Sequence, residues 1–332
     1  MPKDKPIDEQ LIKYQSGKVL HDKDKRGKDR PWRKKKLESL QYAEYLKILE
    51  MKKAFKVQDC AETLTFTKNA DGKPTLYQCW FCRSRLCPLC NWRRARKNAV
   101  QLDMVLREAV RKYPQAEFLF LTLTTKNTVN GQELKEELRK ITYVLRQKVL
   151  HRKKIKDVLL GYVRSTEVTV NPDDGSYHQH MHVLLMVNNS YFSPDHYMKQ
   201  SEWTALWKEK MQLDYTPIVH VQKVKPKAKG KEALRSAAAE TAKYQTKSKD
   251  YLSKDRSDQE NIQVVKDLEF ALKGTRAIAY AGVLKDIHKQ LHLDDPEDGD
   301  LVHDQPIDGE LAEVVEIMVA QWNYEKKNYI WR

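Results

Sequence analysis

The chain has 332 residues, of which 61 are Lys or Arg and 46 are Asp or Glu, for a net charge of +15. This length accommodates one large or two modest domains, and no apolar run approaches the roughly 20 residues that a membrane span needs. The first residues, Met1-Pro2-Lys3-Asp4-Lys5, contain no apolar signal-peptide segment. The sequence therefore predicts a soluble, intracellular protein that does not enter a membrane.

Charge is distributed unevenly along the chain. Ten acidic residues and no Lys or Arg lie between Asp294 and Glu316, so removing these ten charges from the net +15 leaves +25 on the remainder. A field of this sign favours a polyanion, and nucleic acid is the expected partner. The acidic stretch at 294–316 is compatible with a linker, a DNA mimic that restrains nonspecific binding, or a docking surface for a helicase.

The first third of the chain divides into several predicted segments. Residues 1–36 carry many charges and few apolar positions, which predicts a basic, partly flexible arm. A helix is predicted from Leu37 to about Lys53, a cysteine-rich module at about 58–92, and a second helix at about 93–112. These elements define a second predicted domain at 37–113.

Four of the five cysteines are closely spaced. Cys79, Cys82, Cys87 and Cys90 follow the pattern C-x2-C-x4-C-x2-C, which is typical of a structural zinc site with four thiolate ligands. Sharing with Cys60, about twenty residues upstream, would satisfy the same ligand count. Buried free thiols are the alternative, and clustering of this kind disfavours them.

Basic and aromatic residues alternate around the cysteines. Arg83 and Arg85 lie within the cluster, Arg93 and Arg94 follow it, and aromatic residues are interleaved. Guanidinium groups bind phosphates and aromatic faces stack on bases, so the pattern predicts contacts with DNA. A solvated helix start beside a small aromatic core explains the same pattern equally well.

From residue 114 onward the pattern changes to strands and helices. The predicted elements are a strand at 117–125, a helix at 132–151, a hairpin with strands at 158–170 and 177–187, a helix at 195–211, a strand at 217–224 and a helix at 231–250. The order β-α-β-β-α-β is that of the ferredoxin-like or split βαβ topology. We therefore expect an α+β core with an antiparallel sheet flanked by helices at 114–255, and a C-terminal helical extension at 256–332.

The predicted hairpin carries a candidate metal site. His180 and His182 are two residues apart on a strand, so their side chains point to one face. Glu167 is as far from the centre of the turn as His180, so the two are expected to pair directly, with Cβ atoms about 5 Å apart. Two imidazoles and a carboxylate suit Mg²⁺, Mn²⁺ or Fe²⁺. His178 shares this face but lies closer to the turn and is the less favoured ligand.

The last predicted helix carries a second group of reactive residues. Glu240, Tyr244, Lys247 and Tyr251 fall on one face of it, because residues three or four apart on a helix are neighbours. A base and a nucleophile could share that face. The same spacing is common on exposed helices that have no catalytic role.

Three of these segments, in order, resemble the motifs of one protein family. Phe120-Leu-Thr-Leu-Thr124, His180-Met-His182 and Glu240-Thr-Ala-Lys-Tyr244 are similar to the three motifs of the rolling-circle replication initiator (Rep) proteins of small Gram-positive bacterial plasmids. These proteins are HUH endonucleases. The resemblance includes the segment from Cys82 to Arg94 and extends from about Arg30 to the C-terminus.

The resemblance implies a cytoplasmic, origin-specific DNA nickase and strand transferase. Tyr244 would attack the scissile phosphodiester and become joined to the 5′ phosphate, releasing a 3′-OH that primes synthesis. Glu240 would replace a second catalytic tyrosine and assist at termination. Mg²⁺ or Mn²⁺ held by His180, His182 and Glu167 would neutralise developing charge.

The resemblance also has implications for the zinc site and for partners. The family pattern maps the zinc ligands onto Cys60, Cys82, Cys87 and Cys90, whereas spacing alone favours Cys79 over Cys60. Lys243 and Lys247 would neutralise the phosphate beside the tyrosine, or remain solvated helix charges. The implied partners are plasmid origin DNA, a host superfamily 1 helicase and the replicative polymerase; the oligomeric state, including a homodimer, stays open.

Two other functional classes compete with this hypothesis. A zinc-containing regulator that binds DNA without chemistry would use His180 and His182 as core residues. A two-His-one-carboxylate iron oxygenase is compatible with the ligand set, but the +25 surface argues against it.

Overall fold

The computed structural model describes residues 17–24, 26–69, 74–224, 238, 241–242, 245–295, 297–303 and 314–332. The chain forms two compact units. One comprises residues 1–94 and 298–332, and the other comprises residues 95–297. Within the described ranges, no helix is both long and apolar enough to cross a membrane.

The first unit contains a four-stranded antiparallel sheet with the strand order β2-β1-β8-β9. Its elements are α1 (Trp32–Ile48), α2 (Ala54–Gln58), β1 (Thr63–Asn69), β2 (Pro74–Cys79), β8 (Val314–Asn323) and β9 (Asn328–Trp331). A further helix, α3 (Pro88–Lys112), begins in this unit and ends in the other one. Leu64 and Phe66 of β1 are fully buried and contribute to the core of this unit.

The predicted N-terminal arm ends earlier than expected. Helix α1 begins at Trp32 rather than Leu37, so residues 32–36 are helical and not part of an arm. Trp32 is buried, its ring packs edge-on against Trp92 at 4.8 Å, and its Nε1 donates to Asp22 at 2.7 Å. Lys36 is also buried, because its ammonium group donates to the carbonyl oxygen of Cys60 at 2.8 Å. Packing and backbone acceptors therefore order this basic segment.

The second unit contains a five-stranded antiparallel sheet with the strand order β6-β3-β5-β4-β7. Its strands are β3 (Glu117–Thr124), β4 (Leu159–Val170), β5 (Tyr177–Val187), β6 (Val219–Val224) and β7 (Ile278–Gly282). Its helices are α4 (Gly131–Val144), α5 (Lys153–Lys156), α6 (Gln200–Met211), α7 (Ser248–Tyr251), α8 (Asp258–Ala271) and α9 (Val283–Gln290), with a π-helical turn at Leu145–Val149. The mixed α+β class predicted from the sequence is confirmed.

One face of this sheet packs against helices α3 and α9. Leu102 and Val105 of α3 and Leu284 of α9 share a buried cluster with Val163 of β4 and Leu184 of β5. Residues two apart on a strand point to the same face. This apolar face therefore continues along β4 and β5 to Glu167 and His182, where polar side chains replace apolar ones.

The predicted C-terminal helical extension at 256–332 is wrong. Strand β7 adds an edge to the core sheet by pairing with β4, and β8 pairs with β1 in the sheet of the other unit. The segment Ile317–Ala320 of β8 consists of apolar residues, and Ile317, Met318 and Ala320 are buried. The predicted core domain at 114–255 therefore ends before β7, which is a strand of the core sheet.

The single predicted helix at 231–250 is also wrong. Residues 245–247 are not helical, and Lys247 has the extended backbone angles of a residue that precedes a helix, which here is the short α7. The amide of Val168 donates to the carbonyl oxygen of Gln245 at 2.7 Å, which attaches this segment to β4. Lys247 and Tyr251 therefore do not share one continuous helix face with the residues before 245.

Candidate metal centres and nucleic-acid interface

The hairpin of β4 and β5 brings the three predicted metal ligands together. Glu167 pairs with His180 across the hairpin, which confirms the predicted register, and Ser165 pairs with His182. One ligand atom each from Glu167, His180 and His182 lies within 4.8 Å of the others. We call this group the hairpin triad.

A single carboxylate oxygen connects the members of the hairpin triad. Oε2 of Glu167 lies 3.1 Å from Nε2 of His180 and 3.4 Å from Nε2 of His182. Glu167 and His182 are buried, with 5% and 6% of their surface exposed, whereas the His180 side chain is 15% exposed. The group thus faces solvent on the His180 side, where a substrate could approach.

Lys247 is a fourth member of this environment. Its Nζ lies 2.9 Å from Oε1 of Glu167. Burial raises the pKa of the Glu167 carboxyl, but its hydrogen bonds with His180, His182 and Lys247 outweigh burial and bring the pKa well below its usual range. The carboxyl is therefore ionised, which is the form that binds a metal ion.

His182 is oriented by groups on the neighbouring strand. Its Nδ1 lies 3.2 Å from Oγ1 of Thr122, and its ring stacks on Phe120 with centroids 5.5 Å apart. This leaves Nε2 buried and directed toward Oε2 of Glu167. A buried ring nitrogen aimed at a carboxylate, with the other nitrogen bound to a hydroxyl, is the arrangement of a metal-binding histidine.

The hairpin triad therefore fits a divalent cation. Two imidazole nitrogens and one carboxylate oxygen leave coordination positions for a substrate oxygen. His178 lies beside His180, with ring centroids 5.3 Å apart, but it is not one of the grouped ligands, and its Nδ1 lies 2.9 Å from Oδ1 of Asn127. The donor set by itself is compatible with Mg²⁺, Mn²⁺ or Fe²⁺.

Four cysteines of the first unit form a second candidate metal centre. The sulfurs of Cys60, Cys82, Cys87 and Cys90 lie within 4.8 Å of one another. The separations Cys60–Cys90 and Cys82–Cys90 are 3.6 Å and Cys60–Cys87 is 3.7 Å. Four sulfurs bound tetrahedrally at about 2.3 Å from zinc would be about 3.8 Å apart. The cluster therefore has the dimensions of a four-thiolate site.

The chemistry of the cysteine cluster also fits a cation. Burial raises the pKa of the Cys60 and Cys90 thiols, so without a cation these groups favour the neutral form. A bound metal ion reverses this preference. Cys79 lies outside the cluster, and its sulfur is 3.7 Å from the carbonyl oxygen of Trp80.

The arginines around the cysteines have partners inside the first unit. Arg93 is buried and donates to the carbonyl oxygens of Leu301 at 2.8 Å and Val302 at 2.7 Å. Arg94 is buried and donates to the carbonyl oxygen of Ser84 at 3.1 Å. Contact of Arg93 and Arg94 with DNA stays a prediction, and in this structure both guanidinium groups are buried and donate to backbone carbonyl oxygens.

Two other predicted DNA-binding arginines are more accessible. Arg83 donates to the carbonyl oxygen of Asp298 at 2.7 Å through one nitrogen, and its side chain is exposed. Arg85 is partly buried. The exposed Arg83 side chain is therefore accessible to a phosphate.

Comparison with known proteins identifies the family. A family model described as "Replication protein" matches residues 73–330. The chain belongs to this family of replication proteins. A "Protein rep" from Lactiplantibacillus plantarum is 51% identical over 318 residues, which cover 94% of this chain and 99% of that protein. A "Protein rep" from Streptococcus pneumoniae is 42% identical over 316 residues, with 94% and 95% covered. No solved structure matches the chain.

Membership in the replication protein family confirms the resemblance predicted from the three motifs. Of these motifs, the structure describes the first two, which meet at the contact of Thr122 with His182. Glu240, Lys243 and Tyr244 lie outside the described residues. The predicted contact of Lys247 with DNA stays a prediction, and the structure places its ammonium group beside Glu167. Sequence spacing could not reveal this pair, because the two residues are 80 positions apart.

Proposed function

We propose that this replication protein initiates plasmid rolling-circle replication by nicking one strand of the origin through a phosphotyrosine at Tyr244. The observation that carries the proposal is the hairpin triad, a buried carboxylate bound to two imidazoles on adjacent strands. The hairpin triad fits a catalytic divalent ion. Outside the acidic stretch Asp294–Glu316, the chain also has the basic charge that binding of a DNA substrate requires.

The connectivity of the second unit supports an HUH core. Strands β3, β4, β5 and β6 occur with helix α4 between the first two and α6 between the last two. This is the β-α-β-β-α-β order of a split βαβ fold. The two histidines lie on β5, between β3 and β4 in the sheet, where both neighbouring strands can supply supporting side chains.

Mg²⁺ or Mn²⁺ bound by His180, His182 and Glu167 would polarise the scissile phosphate and neutralise charge that develops on its oxygens. Thr122 holds the ring of His182 in a fixed orientation. Lys247 stabilises the charged form of Glu167. These contacts preorganise the site before DNA binds.

The proposed reaction conserves the phosphodiester bond energy. The hydroxyl oxygen of Tyr244 attacks the phosphorus, the bond from phosphorus to the 3′ oxygen breaks, and the departing 3′ oxygen takes up a proton. The 5′ phosphate stays joined to Tyr244, and the 3′-OH serves as a primer. At termination Glu240 would either activate a water that hydrolyses the bond between phosphorus and Tyr244, or relay a proton to the Tyr244 oxygen as it departs when a 3′-OH attacks the phosphorus.

The remaining parts of the protein would support this reaction. Zn²⁺ bound by Cys60, Cys82, Cys87 and Cys90 would stabilise the first unit, and Arg83 and Arg85 would contact origin DNA together with Lys243. Helicase and polymerase would be recruited in the cytoplasm after nicking. A homodimer is compatible with two initiators acting on one origin.

A covalent adduct tests the proposal. Purified protein is mixed with Mn²⁺ and single-stranded oligonucleotides that tile the origin of its own replicon, and the products are separated on a denaturing gel. We expect an adduct from the natural protein and from Tyr251→Phe, because Tyr251 is fully buried, and none from Tyr244→Phe. Binding with no cleavage in any variant would contradict the nickase and favour a noncatalytic regulator.

A further inference from the structure

Arg164 is a buried cation on the opposite face of β4 from the hairpin triad. Its position is three residues before Glu167, so the alternation of a strand directs the two side chains to different faces. Only 8% of Arg164 is exposed, and the described residues provide no acidic group in an ion pair with it. Burial lowers its pKa, Tyr162 partly opposes this effect, and the like charges of Arg146 and Arg276 lower the pKa further.

Arg164 lines a cleft in the second unit. Two adjoining cavities, of about 640 and 400 Å³, both have Arg164 and Arg276 in their walls. We call them together the cationic cleft. Its wall includes seven Lys and Arg residues, which are Arg139, Arg146, Arg164, Lys273, Arg276, Lys285 and Lys289.

Negative charge in the wall of the cationic cleft is small by comparison. Asp295 is the one acidic residue among its described wall residues, and it pairs with Arg276 at 2.8 Å. Arg139 and Arg146 are exposed at the rim. Arg146 lies on the π-helical turn Leu145–Val149, an irregularity that is frequent at functional sites.

A buried guanidinium group needs compensation. Arg does not lose its proton in proteins, so it cannot escape the cost of burial by becoming neutral. An isolated buried charge is costly unless it is paired, and repulsion by two further guanidinium groups adds to that cost. An anion in the cleft would remove both penalties. Planar guanidinium groups are well suited to bind phosphate through two parallel hydrogen bonds.

We propose that the cationic cleft binds the phosphodiester backbone of the origin strand beside the nick. The inference rests on the proposed function. Seven cations spread over two cavities exceed what a single phosphate requires, which favours a polyanion. The wall also contains Gln245, the residue that directly follows Tyr244 in the sequence. Backbone phosphates that flank the scissile one are therefore the expected occupants.

Salt dependence of DNA binding tests the cleft. Binding of a fluorescent single-stranded origin oligonucleotide is measured by anisotropy at several salt concentrations, without added divalent metal. Arg139→Gln removes one cation from the smaller cavity, and Arg146→Gln removes one from the larger. Each should weaken binding and reduce the slope of log K against log salt by about 0.7. Lys140→Gln is the matched control, because Lys140 is exposed beside Arg139 but does not contribute to the cleft.

Arg164→Gln should cause a larger loss of affinity, and its thermal unfolding is measured first. If that variant does not fold, the exposed Arg139 and Arg146 still decide the question. Affinities and slopes equal to those of the natural protein for both rim variants would overturn the proposal. A second arm titrates inorganic phosphate into the same proteins. Rim variants that lose phosphate binding but keep full DNA affinity would assign the cleft to a small anion and also overturn it.

This outcome is separable from failure of the nickase. The anisotropy experiment requires neither Tyr244 nor cleavage. Loss of binding in the rim variants of a protein that forms no adduct would support the cleft and reject the nickase. Adduct formation by the natural protein, together with unchanged DNA binding in the rim variants, would support the nickase and reject the cleft.

Discussion

Glu167 and His180 pair directly across the β4–β5 hairpin, and the carboxylate Oε2 lies 3.1 Å from Nε2 of the ring. This contact joins the two strands by polar side chains at the point where the apolar core ends. The same oxygen approaches His182, so one carboxylate orders both imidazoles. Removal of Glu167 should therefore disturb every other member of the site.

Glu167→Ala should abolish tight binding of Mn²⁺. Loss of a supporting partner of a ligand alone typically costs about 10–100-fold in metal affinity, and loss of the ligand itself should cost more. Isothermal titration of Mn²⁺ into the protein measures the effect. His178→Ala is the control, because His178 is the neighbour of His180 but lies outside the group of ligand atoms. The Mn²⁺ affinity of this variant should stay close to that of the natural protein. Equal losses in both variants would contradict the assigned ligand set.

Thr122→Val should weaken metal binding without removing a ligand. The Thr122 hydroxyl lies 3.2 Å from Nδ1 of His182, and valine keeps the shape of the side chain while deleting the hydroxyl. We expect a loss of about 10–100-fold in Mn²⁺ affinity. Thr122→Ser retains the hydroxyl and should therefore keep most of the Mn²⁺ affinity of the natural protein. An affinity for Thr122→Val that equals that of the natural protein would show that Nδ1 needs no partner.

Cys60→Ser and Cys79→Ser should differ in zinc content. Cys60 lies in the four-sulfur cluster and Cys79 does not, so only the first substitution removes a ligand. Metal analysis of purified protein should give about one zinc per chain for Cys79→Ser and a clear deficit for Cys60→Ser, with a lower melting temperature. Loss of zinc from Cys79→Ser and full zinc content in Cys60→Ser would place Cys79 among the ligands in place of Cys60.

In the metal-free protein, the contribution of Glu167 to the free energy of unfolding should decrease at acidic pH. The pKa of Glu167 is lower in the folded state than its ordinary value of about 4.3, so its stabilising effect is fully present above that value and declines as the pH falls below it. The difference in free energy of unfolding between the natural protein and Glu167→Gln should therefore be smaller at pH 3.5 than at pH 5.5. Urea unfolding of both proteins at the two pH values measures it. A larger difference at pH 3.5 would contradict the ionised carboxyl.

Local sequence patterns predicted the centre of the second unit well. The turn at Asn171–Gly175 fixes the hairpin register, and alternation then determines which side chains share a face with His180. Both strands of this hairpin were predicted to within a residue of their observed starts and ends. The sequence therefore contained enough information to place Glu167 opposite His180.

Features that depend on distant contacts were not predictable in this way. The sequence places Lys36 in a run of basic residues that is typical of a solvated segment. Its burial is explained by the hydrogen bond that its ammonium group donates to the carbonyl oxygen of Cys60. Strand β7 is five residues long and contains two alanines and a glycine, so it has no strong local strand signal and is formed by pairing with β4. Spacing favoured Cys79 as a sulfur ligand, whereas folding brings Cys60 beside Cys90.

The most direct test of the central claim is to identify the residue that carries DNA after cleavage. The protein is incubated with Mn²⁺ and its cleavable origin oligonucleotide, digested with protease and nuclease, and the modified peptide is sequenced by mass spectrometry. The account predicts a nucleotide joined through its 5′ phosphate to Tyr244. A nucleotide on Tyr251 or on any other residue, or a cleaved strand with no attached peptide, would contradict it.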